Sequence, residues 1–161
     1  MKKTIITLSI IGLFAMPSYA LAGEFAARNS FSSEKDEVIT AFTKWREALS
    51  SGNAANVVKL YEENAILLPT LSPKVLTTQS ARSDYFTTLV AKPKLQATVN
   101  EEHTRILDSD NAIVSGLYTF SFEENGKRVD VPARFSFVYE KENGQWMIVE
   151  HHSSKVPANQ P

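Results

Sequence analysis

The chain has 161 residues, 43% hydrophobic and 22% charged, with a net charge of −1 and no cysteine. Disulfides, thiolate metal sites and cysteine nucleophiles are therefore excluded. The near-neutral balance also gives no electrostatic footprint for nucleic acid or an anionic membrane surface.

In chain order, Lys2 and Lys3 precede an uncharged run from Thr4 to Met16, which Pro17 breaks before Ala20-Leu21-Ala22. A basic start, a short apolar run and small residues at a cleavage point make a secretory signal peptide over residues 1–22. The run is shorter than the ~20 apolar residues a spanning helix needs, so no membrane attachment is expected after cleavage. Export places the mature chain in the periplasm or outside the cell. Without Lys2 and Lys3 it carries 15 basic against 18 acidic residues.

Residues 23–33 are small and mixed, and are expected to form a flexible leader. Ser32-Ser33 before Glu34, Asp36 and Glu37 then reads as a helix start, where hydroxyl caps and early negative charge meet exposed amides. Val38, Phe42, Trp45 and Leu49 recur at helical spacing, and Gly52 follows the last turn. A second, shorter helix is expected from Asn53, with Val57, Val58 and Tyr61 on one face. Ala65 to Leu68 reads as a short buried strand stopped by Pro69. A third helix is expected over 79–90, with Arg82, Tyr85, Phe86 and Leu89 on one face.

The period then changes to two. Strands are expected over 95–107, 112–123, 128–141 and 145–156, with Phe135, Phe137 and Tyr139 on one face of the third. Asn125-Gly126 and Asn143-Gly144 are hairpin signals, because both positions tolerate positive φ. Helices first and an antiparallel meander after them predict an α+β domain over residues 34–157, with three N-terminal helices packed on one face of a curved, mainly antiparallel sheet.

His151 and His152 are neighbours on a strand and must point to opposite faces, so they cannot share a pocket, and no metal site is expected. Arg134 interrupts an otherwise apolar strand. A guanidinium keeps its proton and is costly to bury alone, so it calls for a carboxylate, a carbonyl cluster or an anionic ligand. Glu150 is the internal candidate partner, and strand register decides whether Glu150 or His151 shares its face. A structural ion pair and a ligand clamp both remain open. Trp45, Tyr61 and Tyr85 read as core residues or as walls of a ligand site.

Residues 132–139, Pro-Ala-Arg-Phe-Ser-Phe-Val-Tyr, followed by 144–154, Gly-Gln-Trp-Met-Ile-Val-Glu-His-His-Ser-Ser, resemble the association domain of calcium/calmodulin-dependent protein kinase II. Its stand-alone, SnoaL-like bacterial relatives are most similar, and Leu67-Leu68-Pro69 and Asp84-Tyr85-Phe86 fit their pattern. The resemblance implies the cone-shaped nuclear-transport-factor-2-like fold, a pocket between the helices and the concave sheet face, and assembly as homodimers or rings of dimers. The sequence shows no nicotinamide or flavin fingerprint, so no cofactor is expected.

Three functional readings follow. The first is a homo-oligomeric binding domain holding a small, carboxylate-bearing anion, clamped by Arg134, with hydrogen bonds from His152 and Tyr118 and an apolar wall from Trp45. The second is a cofactor-free isomerase or cyclase using Glu150 or His152 as general base. The third is an assembly module without catalysis. Ligand identity is not written in the sequence.

Overall fold

The computed structural model describes residues 18–158, with side chains from Ser32 onward. The basic start and the whole uncharged run from Thr4 to Met16 of the expected signal peptide lie outside the described residues. The first helix, α1 (Ser18–Ser50), begins upstream of the Ser32-Ser33 cap and takes in the backbone of the expected leader. Ala20, Ala22, Ala26 and Ala27 make that stretch a good helix former. Val38, Phe42, Trp45 and Leu49 form its buried stripe. Ser51 closes the last turn onto the Glu47 carbonyl, and Gly52, at φ +69°, takes the left-handed position that ends the helix.

The short α2 (Ala54–Val58) is capped by Asn53, whose side chain accepts from the Ala55 amide at 3.0 Å. It stops short of Tyr61, which opens β1 (Tyr61–Leu68) instead of extending the helix. That corrects the expected helical Tyr61 and lengthens the expected strand at its start. α3 (Gln79–Val90) occupies the predicted span, with Thr78 as N-cap. The long strands follow as β2 (Gln96–Ile106), β3 (Asn111–Glu124), β4 (Lys127–Glu142) and β5 (Gln145–Lys155). Both Asn-Gly pairs have positive φ at both positions, as two-residue hairpin turns require. No helix of the described residues is long and apolar enough to cross a membrane.

The five strands form one curved sheet in the order β1-β5-β4-β3-β2, antiparallel except for β1 beside β5. Along most of β3, β4 and β5 the residues facing the helices are buried and those between them are half-buried or exposed, whereas β2 at the sheet edge buries only Ala97. Phe42 and Trp45 of α1 pack on Tyr118, Phe135, Phe137 and His151 with ring centroids 4.8–6.1 Å apart. Such aromatic pairs each contribute roughly 0.5–1.5 kcal/mol beyond area burial, so this cluster fixes α1 across the centre of the sheet.

Three irregularities shape what the sheet presents. In β5, Tyr139 pairs with Ile148 but Val138 pairs with Glu150, so Val149 is an extra residue. This bulge reverses the facing of all that follows it. In β1, the register jumps between Tyr61 and Ile66, leaving carbonyls there without strand partners. In β2, a shift between Val99 and Glu101 brings the Glu101 carbonyl onto Gly116 of β3, where an added Cβ would lie 1.9 Å from that oxygen.

Candidate functional site

The inner end of the cone is lined by Trp45 from α1, Leu67 from β1, Pro69 and Thr70 after it, Tyr85 and Phe86 from α3, and Tyr118, His151 and Ser153 from the sheet. The space left among them is about 10 Å³, roughly the room of one water molecule. No charged side chain lines it. Its polar groups form two short hydrogen-bonded strings. In one, Trp45 Nε1 donates to Tyr61 Oη at 2.9 Å, and Tyr61 Oη meets His151 Nδ1 at 2.8 Å. In the other, Tyr118 Oη donates to Ser153 Oγ at 2.5 Å, and Ser153 Oγ also pairs with Thr70 Oγ1.

The first string has a fixed direction. An indole N–H can only donate, so Tyr61 accepts from Trp45 and gives its own single proton to His151 Nδ1. Burial, reinforced by the neighbouring His152, pushes the His151 pKa down from 6.5 to about 3, so the ring is neutral across the ordinary pH range. A neutral imidazole accepting at Nδ1 carries its hydrogen at Nε2. That Nε2 is buried and has no partner. His151 lines the cavity, whereas Tyr61 does not. Burial also holds the Tyr61 and Tyr118 hydroxyls above their ordinary pKa, so both stay protonated donors.

Of the residues expected to form a ligand site, the structure brings together Trp45 and Tyr118, both fully buried inside the cone with ring centroids 6.1 Å apart. It does not bring the others to them. Arg134 is exposed on the outer face of β4, opposite Ser154, and the expected carboxylate clamp inside the cone is thereby corrected. Alternation accounts for this: Ala133, Phe135, Phe137 and Tyr139 point inward, so Arg134 must point out. Glu150 and His152 are also exposed on that outer face, so neither expected general base reaches the cavity. Glu150 does share Arg134's face, but none of the ion pairs among the described residues joins them.

The imidazole inside is His151. Without a bulge, the inward phase of Trp146 and Ile148 would have carried Glu150 and His152 into the cone; the extra Val149 sends His151 and Ser153 there instead. Nothing in the local sequence marks Val149 as the extra residue. Tyr61 was hidden by its expected place on a helix.

The buried cation is Arg82, fully enclosed on α3. Its guanidinium donates to the backbone carbonyls of Glu62 at 2.6 Å, Glu63 at 2.7 Å and Ala65. These are the carbonyls that the β1 bulge takes out of the ladder, so Arg82 satisfies them. Desolvation lowers its pKa, with no carboxylate partner to offset it. The sequence placed Arg82 on the buried face of this helix but gave it no role. Among the described residues, no group of three or more His, Asp or Glu side chains is placed to hold a metal.

Comparison with known proteins converges with this geometry. The family model described as "Calcium/calmodulin dependent protein kinase II association domain" matches residues 34–157. A calcium/calmodulin dependent protein kinase II association domain from Xanthomonas campestris is 42% identical, with TM-score 0.72, covering 75% of this chain and 86% of its own. The kinase II hub homology domain of Chlamydomonas reinhardtii is 25% identical, with TM-score 0.66, over 76% of this chain and 98% of its own. A dehydratase of the nuclear-transport-factor-2-like family from Streptomyces avermitilis has TM-score 0.72 at 17% identity, over 80% of this chain and 99% of its own, a likeness of fold alone. No curated protein matches the chain.

Proposed function

We propose, given that this chain belongs to the calcium/calmodulin-dependent protein kinase II association domain family, that it is a self-associating module working outside the cytoplasm. The observation that carries this reading is the contrast between the two faces of the sheet. At its centre, among Trp45, Tyr118 and His151, the inner face is closed down to about 10 Å³, well below the ~300–1,000 Å³ of typical small-molecule pockets, while a separate open cleft of about 590 Å³ lies beside Glu37, Lys44, Tyr139 and Trp146. The outer face leaves Ile66, Leu68, Ile113, Leu117 and Val138 half-buried or exposed among polar neighbours. A sheet with one packed face and apolar side chains on the other gains most by covering the second. Relatives named as association and hub domains support a second copy as the cover.

The placement of charge also weighs against the rivals. A carboxylate held in the cone would need a cation there, and Arg134 is outside. An acid/base enzyme would need a general base in the cavity, and Glu150 and His152 are outside as well. His151 is inside, but with Nδ1 accepting and Nε2 protonated it offers a donor and no free base.

The extracellular or periplasmic setting rests on residues 1–22, with cleavage after Ala22. One experiment addresses both parts: native and denaturing intact-mass spectrometry of the protein expressed with its own N-terminus and purified from the periplasm or medium. A chain beginning at Gly23 and assembled as a dimer or larger is expected. A full-length chain confined to the cytoplasm would overturn the export reading, and a monomer at tens of micromolar would overturn the assembly reading.

A further inference from the structure

The open cleft on the helix side of the sheet is bounded by α1, by the chain leading from α2 into β1, and by the start of β5. It shares no residue with the closed centre of the cone. Its volume of about 590 Å³ falls within the ~300–1,000 Å³ of small-molecule sites.

Both ends of the cleft are tied. At one end Glu37 Oε2 of α1 accepts from Lys141 Nζ at 2.7 Å and from Trp146 Nε1 at 3.1 Å, and Lys141 Nζ lies 5.2 Å from the centre of the Trp146 ring. At the other end the Ile148 amide donates to the Leu60 carbonyl at 2.9 Å. Between these ties α1 and β5 run in the same direction, since Trp45 further along α1 packs on His151 further along β5, with ring centroids 5.2 Å apart. The floor is apolar: Tyr139 and Ile148 are buried, and Ala41 and Leu60 are half-buried.

Charge is graded along this cleft. Asp36 and Glu37 line the Trp146 end. Lys44 stands two helical turns beyond Glu37 on the same face of α1, about 10 Å along the axis, and Lys59 lines the cleft beside Leu60. Glu37 is paired with Lys141, but Lys44, Lys59 and Asp36 belong to no ion pair among the described residues. Lys59 Nζ donates to the neutral Asn56 Oδ1 at 3.1 Å. Unpaired ammonium groups at one end of an apolar floor and carboxylates at the other favour one negative charge and reject a second.

We infer that this cleft binds an acyl monocarboxylate. The carboxylate sits with Lys44 and Lys59, the chain lies on the floor towards Trp146, and Asp36 and Glu37 exclude a second anionic group. Octanoate, extended, has about the length of this floor. The site goes beyond the assembly reading and does not depend on it, because the cleft lies on the opposite side of the sheet from the outer face.

Isothermal titration calorimetry with octanoate, octanedioate and octylamine tests the site on the wild type, on the Lys44→Glu, Lys59→Glu double variant, and on Asp36→Asn. All three side chains are exposed, so the variants are expected to fold, which circular dichroism checks. Octanoate is expected to bind the wild type at one molecule per chain, octanedioate about tenfold or more weakly, and octylamine not measurably. The double lysine variant should lose about tenfold or more in octanoate affinity. Asp36→Asn should keep octanoate within about threefold and bind octanedioate about threefold better. In nitrogen-15 NMR spectra, octanoate should move the indole signal of Trp146 and leave that of Trp45 in place.

No octanoate binding at millimolar concentration would overturn the site. A shift of Trp45 without Trp146 would place the ligand in the centre of the cone and overturn this cleft. Octylamine binding as well as octanoate, or a double lysine variant that binds octanoate undiminished, would overturn recognition of the anion. Octanedioate binding as tightly as octanoate would overturn the selectivity for a single carboxylate.

Discussion

His151 illustrates how a buried side chain's chemistry is set by what its neighbours can donate. Trp45 passes a hydrogen to Tyr61, Tyr61 passes one to Nδ1, and the imidazole is left neutral with Nε2 protonated. The same burial links the residue to acid stability. Unfolded, His151 takes a proton below about 6.5, whereas folded it stays neutral until about 3. Between those values the unfolded state binds the extra proton, so stability falls as pH falls, by up to about 1.4 kcal/mol per pH unit. Urea unfolding of wild type and His151→Phe between about pH 4 and 6 should give a visibly flatter pH dependence for the variant. Parallel slopes would show that His151 titrates normally in the folded protein. Arg82 shows the opposite solution for a buried group: it keeps its charge and spends its donors on three backbone carbonyls.

At the level of the elements, the informative features are the three places where strand pairing departs from regularity. Each puts a particular residue type under a physical obligation. The β1 jump obliges α3 to supply a donor cluster. The β5 bulge chooses which histidine is inside. The β2 shift obliges β3 to supply a residue without a Cβ at Gly116. The last is directly testable. In Gly116→Ala the methyl would overlap the Glu101 carbonyl oxygen, and a backbone atom in a paired strand has little freedom to move aside. Destabilisation on the order of 3 kcal/mol is expected, measured by chemical denaturation. Glycines at the hairpin tips meet nothing within 4 Å, so any cost there comes from positive φ rather than collision.

For the molecule as a whole, a two-layer domain with helices on one side of its sheet has an unfinished surface. If a second copy completes it, folding and association are linked, and apparent stability depends on protein concentration. The thermal midpoint should rise measurably when concentration is raised about a hundredfold, from about 2 μM to about 200 μM. A wild-type midpoint independent of concentration would mean the domain is stable without a partner. Composition fits this architecture: the chain has no disulfide to staple it and is long enough to bury a core of its own.

Period and punctuation alone determined the third helix, the four long strands, both Asn-Gly turns and the order of helices before sheet, because these depend on interactions within a few residues. The alternation of Phe135, Phe137 and Tyr139 also carried the outward direction of Arg134, but the sequence reading set it inside the cone as a clamp, and the structure corrected that. The tertiary structure decided what depends on pairing between distant segments. One extra residue in β5 brought His151 rather than His152 inside, and one jump in β1 made Arg82 the buried cation. Local propensity is blind to register, and one residue of register turns a side chain from core to solvent.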